Sequence, residues 1–167
     1  MNNLNLKINA MKKSPILVAV LFLGLSLFSC KFEDVPPSKK ELLTNKTWLV
    51  SSKMLTPSIT MGGMVISDIL ILESDEVRKY SYKYDMDGTL TQFDHLNQVK
   101  FKTKWSFNSD ETQITHQEAI VYNYPIVGDL KLITATIESI TDNQIVALLP
   151  FTNEGTNYVI TIIFKPK

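Results

Sequence analysis

Between Val99 and Phe107 apolar and polar residues alternate with a period of two. Val99, Phe101, Thr103, Trp105 and Phe107 share one side, and Lys100, Lys102, Lys104 and Ser106 share the other. An extended chain turns successive side chains to opposite faces, so this spacing predicts a half-buried antiparallel strand. Weaker forms of the pattern recur along the chain. Thr47 to Leu55 opens with Trp48 and Val50 opposite Leu49 and Ser51. Met64 to Leu72 is rich in Val, Ile and Leu, and Val77 to Tyr84 sets Tyr80, Tyr82 and Tyr84 against Lys79, Ser81 and Lys83. Asp87-Gly88 is a hairpin signal from which Thr89 to Phe93 returns. After the polar turn Asn108 to Glu111, strands are predicted at Gln113 to Val121, Leu130 to Ile140, Ile145 to Leu149 and Tyr158 to Phe164. Lys40 to Thr44 reads as a single helical turn. About eight or nine strands with short turns predict an all-β domain over residues 41–167: an antiparallel up-and-down meander closed into a small barrel, or alternatively a two-sheet sandwich.

The first thirty residues follow a different pattern. Lys12 and Lys13 precede Pro15, and Ile16 to Phe28 is then apolar apart from Gly24 and Ser26. As a helix this run spans about 20 Å, whereas a bilayer core about 30 Å thick needs about 20 residues. The run suits the hydrophobic region of a cleaved signal peptide over residues 1–29. Met11 opens that signal as naturally as Met1 does. The run ends in Leu27-Phe28-Ser29-Cys30, which resembles the bacterial lipobox: an aliphatic residue, a variable one, a small one, then cysteine. Phe28 is bulkier than the usual residue at its position. The resemblance implies that the Cys30 thiol is alkylated by a diacylglyceryl group and that the chain is cut before it. The expected product is tethered to the outer membrane by acyl chains on Cys30, and such multiple chains suffice for stable anchoring. Residues 30–40 form the tether. Glu33-Asp34 resembles a short form of the acidic signal that sends Bacteroidetes lipoproteins to the cell surface, and an ordinary solvated tether explains it equally well. The domain is thus expected on the periplasmic face or the cell surface.

Charge adds one constraint. The chain has 17 basic and 17 acidic residues, and the segment before Cys30 holds Lys7, Lys12 and Lys13 with no acid. What remains is mildly acidic, without a global basic field for nucleic acid. The sole cysteine is Cys30, so no internal disulfide can form.

Four pieces of the domain resemble the lipocalin-like lipoproteins of Bacteroidetes-type bacteria. They are Leu43 with Trp48 five residues on, Lys104-Trp105-Ser106-Phe107 followed by Thr112 to Thr115, Ile137 to Val146, and the closing Tyr158 to Pro166. The resemblance covers about residues 41–167. It implies a small lipocalin-like barrel holding a hydrophobic molecule. True lipocalins carry a glycine two residues before the first-strand tryptophan, where this chain has Lys46.

The residues offer little catalytic chemistry. His95 and His116 lie on different segments, and a metal would need both together with a carboxylate such as Glu118; no metal-ligand spacing is present, so no metal or cofactor is expected. Asp85-Met86-Asp87-Gly88 starts like a calcium loop but lacks the later oxygen ligands and reads as a turn. No serine sits in a Gly-x-Ser-x-Gly elbow. Asp75-Glu76 flanks a turn, and Lys100, Lys102 and Lys104 read as a solvated strand face. The expectation is a protein that is not an enzyme. Candidate ligand contacts are Trp48 and Trp105 in the barrel, Met61 and Met64 around a lid-like loop over Thr56 to Gly63, and Tyr122 and Tyr124 in an aromatic loop before Pro125. Either the barrel holds a small hydrophobic ligand, or it is filled and the domain docks onto another envelope protein.

Overall fold

A computed structural model describes residues 35–124 and 128–167. The expected signal peptide over residues 1–29, the lipobox-like run and the proposed lipidation site Cys30 fall outside the described residues. Ser38 opens a short helix, α1 (Lys39–Thr44), through a reciprocal cap. The Glu41 N–H donates to Ser38 Oγ at 3.2 Å, and the Ser38 N–H donates to Glu41 Oε2 at 2.8 Å. Six residues make a poor helix alone. The capping box and the complete burial of Leu43 hold this one in place.

Among the described residues, strands follow as β1 (Thr47–Met61), β2 (Met64–Asp68), β3 (Ser81–Tyr84), β4 (Thr89–Phe93) and β5 (Val99–Phe107). They continue as β6 (Gln113–Tyr124), β7 (Gly128–Ile140), β8 (Ile145–Asn153) and β9 (Thr156–Pro166). All neighbouring pairs are antiparallel and follow chain order from β3 to β9. Closure comes from β1. Its residues Trp48 to Thr56 pair with β9, while Thr47 to Leu49 pair with β3. The result is a closed eight-stranded up-and-down barrel, as in a small lipocalin-like protein, and not a sandwich. The far half of β1 runs beyond β3 and pairs with β2, adding a ninth strand.

A β-bulge in β1 decides what faces the interior. Val50 pairs with Phe164 and Ser52 with Ile163, so Ser51 is the extra residue. Before it Trp48 and Val50 point inward; after it Lys53 and Leu55 do. One added residue reverses the inward parity of a strand. Alternation read from Trp48 onward places Lys53 outside, and the bulge turns it in.

Several boundaries differ from those predicted. Thr56 to Gly63 is not a lid loop: β1 continues to Met61 and turns tightly through Gly62 and Gly63. Met64 to Leu72 is not one strand. The Asp68 carboxylate accepts from the N–H groups of Lys53 at 3.0 Å and Leu70 at 2.9 Å, which ends β2 and starts a 3-10 turn over Ile69–Leu72. A second such turn takes Val77–Lys79, leaving only Ser81–Tyr84 as strand, with Ser81 buried beside Tyr82 and not on an opposite solvated face. A short apolar run does not by its periodicity distinguish a strand from a buried turn. The Tyr122 and Tyr124 stretch is likewise strand, the last turn of the pleat in β6. Val99–Phe107 and Thr89–Phe93 have their predicted bounds.

At the α1 end the core is built around tryptophan. Trp48 is fully buried and its indole N–H donates to the Leu43 carbonyl at 2.8 Å. Trp105 meets Tyr84 and Phe107 edge-on, with centroids 5.3 and 5.5 Å away. Gly88 turns the β3–β4 hairpin at φ 78°, and a Cβ there would lie 3.1 Å from the Trp105 carbonyl. Gly88→Ala therefore meets both a left-handed backbone and a fixed strand. It is expected to cost about 1–2 kcal/mol or more, read as a lowered midpoint in urea unfolding.

Candidate binding site at the barrel mouth

The two ends of the interior differ chemically. Toward α1 the lining is apolar, including Leu43, Ile137, Ile145 and Phe164, and the remaining void is about 20 Å³. That is room for about one water molecule, not for a small apolar ligand. His116 and Tyr84 border this void. The Tyr84 hydroxyl lies 3.4 Å from His116 Nε2. His116 is buried, and burial pushes its pKa down to about 4 from the ordinary 6.5. Trp105 Nε1 and His116 Nδ1 are buried without a hydrogen-bond partner among the described residues.

The opposite end is built from charge and phenols. The bulge delivers Lys53, whose side chain is 2 % exposed, to the carboxylate of Glu73, itself 8 % exposed. Glu73 is carried there by the segment between the two 3-10 turns. Arg78 braces that segment, its guanidinium donating to the carbonyls of Leu70, Ile71 and Glu73 at 2.9–3.1 Å. Lys53 Nζ also donates to the Tyr124 hydroxyl at 2.9 Å and sits 3.7 Å above the Tyr122 ring centroid, a cation–π contact. Tyr124 in turn donates to Glu73 Oε1 at 2.6 Å. Burial draws the Lys53 pKa down, opposed chiefly by the Glu73 charge. Burial, reinforced by the bond to Glu73, pushes the Tyr124 phenol up.

Beside this cluster opens a pocket of about 350 Å³. Its lining includes Leu72, Val77, Tyr80 and Val121, with Tyr82, Gln92, Tyr122 and Glu73 among its polar members and Lys100 at its edge. Tyr82 and Tyr122 share a hydrogen bond of 3.1 Å, and Gln92 Nε2 donates to the Tyr82 hydroxyl at 3.0 Å. Burial pushes Tyr82 up to about 12 and Tyr122 upward as well, so both phenols stay protonated at neutral pH.

Of the candidate ligand contacts, the fold brings Tyr122 and Tyr124 together, stacked with centroids 6.4 Å apart, and Tyr122 lines the mouth pocket. Trp48 and Trp105 fill the core. Met61 and Met64 stand 38 % and 65 % exposed at the tip of the β1–β2 hairpin. His95 lies exposed on the β4–β5 turn, apart from buried His116, and among the described residues no three His, Cys, Asp or Glu side chains converge as metal ligands. Lys53, Glu73, Tyr82 and Gln92 are not apparent as site residues in the sequence. Alternation does place Tyr82 on an inward face, but nothing marks the bulge that turns Lys53 inward. Compared with known proteins, the chain matches no family model and no curated relative.

Two measurements probe this interior. Lys53→Met leaves a buried Glu73 charge uncompensated and is expected to cost about 3–5 kcal/mol. The double variant Lys53→Met/Glu73→Gln should recover most of that loss in urea unfolding, because the unpaired charge is gone. His116 titrates separately. Between its folded pKa of about 4 and its ordinary 6.5, the unfolded chain binds a proton that the folded protein does not. Stability should therefore rise with pH across that window, by at most about 3 kcal/mol, and His116→Gln should flatten the rise.

Proposed function

We propose that this chain is a lipid-anchored bacterial envelope protein whose barrel is a non-enzymatic binding domain, taking a small amphipathic molecule at its mouth and not in a hollow interior. The observation that carries the binding half is the contrast between the two ends. The interior void of about 20 Å³ is too small for any ligand, whereas the mouth pocket of about 350 Å³ falls within the usual range for small-molecule sites, roughly 300–1,000 Å³. Its walls combine apolar and aromatic side chains with the polar groups of Glu73, Ser74, Gln92, Lys100 and Asn123, so both kinds of contact that such sites use are present. The anchoring half rests on Lys12-Lys13, the apolar run and Leu27-Phe28-Ser29-Cys30. Tethering by acyl chains on Cys30 would hold the domain at the outer membrane, facing either the periplasm or the outside.

A second reading is a docking module with a filled barrel. It is favoured by the outer edge of β2, which pairs with no further strand among the described residues and where Met64 and Val65 are 65 % and 71 % exposed. Unpaired edges of this kind are templates for another chain.

Native mass spectrometry of the full chain purified from a bacterial host, with organic extraction in parallel, separates the two. A small amphipathic molecule carried with the protein, displaced by the pocket-filling variant Val77→Trp, is the expected result. A bare protein that also takes up no added amphiphile would leave the docking reading. Cys30→Ser is expected to move the protein out of the membrane fraction; unchanged membrane association would refute the anchor.

A further inference from the structure

The hydrogen-bond count at the mouth says what kind of head group the pocket is made for. Two phenols, Tyr82 and Tyr122, hold two hydroxyl protons between them. The 3.1 Å contact joining their oxygens uses one. Tyr82 also receives a proton from Gln92 Nε2, so it is already an acceptor. With the Gln92 amide oriented to donate through Nε2, whichever phenol donates to the other leaves one O–H without an acceptor among the described residues. Both rings are nearly buried, 3 % and 8 % exposed, and both line the pocket. A buried donor without an acceptor is unfavourable, and it is satisfied when an oxygen enters the pocket.

The charges point the same way. Glu73 is the one acid in the pocket lining, and Lys53 stands against it from behind. Lys100 is the one base in the lining and makes no ion pair among the described residues. With the Lys53–Glu73 pair neutral as a unit, the pocket carries one net positive charge. Leu72, Val77, Tyr80 and Val121 add apolar surface to the same lining.

From this we infer that the mouth pocket selects a carboxylate with a short apolar body, its oxygens taking the spare phenol proton and facing the Lys100 ammonium. The inference rests on the mouth being the binding site and adds the head group. The matching probes are octanoate, octanol and octylammonium, which share one apolar body and differ in the head. Titration calorimetry on the full chain is expected to show octanoate binding about tenfold more tightly than octanol, the size of one hydrogen bond to a charged group, and octylammonium most weakly. Lys100→Gln, an exposed change that leaves the fold intact, should weaken octanoate about fivefold and leave octanol unchanged. Tyr122→Phe should narrow the gap between octanoate and octanol. Equal binding of all three probes, or a preference for octylammonium, overturns the carboxylate inference while the mouth site stands. No binding of any probe, or binding that Val77→Trp does not reduce, removes the mouth site itself and the inference with it.

Discussion

Strand β1 is hydrogen-bonded along both edges, and the rest of the structure depends on that. One edge runs against β9; the other is divided between β3 near its start and β2 near its end. A strand of this length, bent by a bulge, lets the meander meet its own beginning and close. Short β3 and β4 do not reach the far end of β1, so the wall there is open. The segment with the two 3-10 turns covers that opening, and Arg78 ties it down.

The bulge couples architecture to chemistry. It closes the barrel and in the same step turns an ammonium into a protein interior. A buried charge is tolerated when a partner of opposite sign and further hydrogen bonds accompany it. Here Glu73, the Tyr124 hydroxyl and the face of Tyr122 provide them. The cluster holds the covering segment against the barrel, since Lys53 belongs to the wall and Glu73 to the cover. It also sets the polarity of the mouth: with the pair mutually neutralised, the phenols and Lys100 give the pocket its character.

At the other end the same barrel is closed by hydrocarbon. Leu43, Trp48, Trp105 and Phe164 occupy the space that a hollow barrel would leave for a ligand. A barrel of eight strands is near the size at which side chains alone fill it, and two tryptophans are enough to tip the balance. The buried histidine sits in this apolar end, which is why it stays neutral.

Residue order alone determined the all-β class, the turn at Asp87-Gly88 and the strands Thr89–Phe93 and Val99–Phe107, because period-two alternation and turn chemistry act over a few neighbouring residues. It also carries the whole basis for expecting an anchor at Cys30. Tertiary structure decided the rest. The meander closes as a barrel because β1 reaches both β3 and β9, and its partners on β9, from Pro166 opposite Trp48 to Val159 opposite Thr56, come from the far end of the chain. Ser51 bulges against β9, a partner that local pattern does not contain, and so Lys53 faces inward against the parity of its own strand. Met64 to Leu72 divides because the Asp68 carboxylate finds two backbone N–H groups, one of them on β1. The mouth pocket exists only where β3, β4, β5, β6 and the covering segment come together, so Tyr82, Gln92 and Glu73 carry no local mark of belonging to one site.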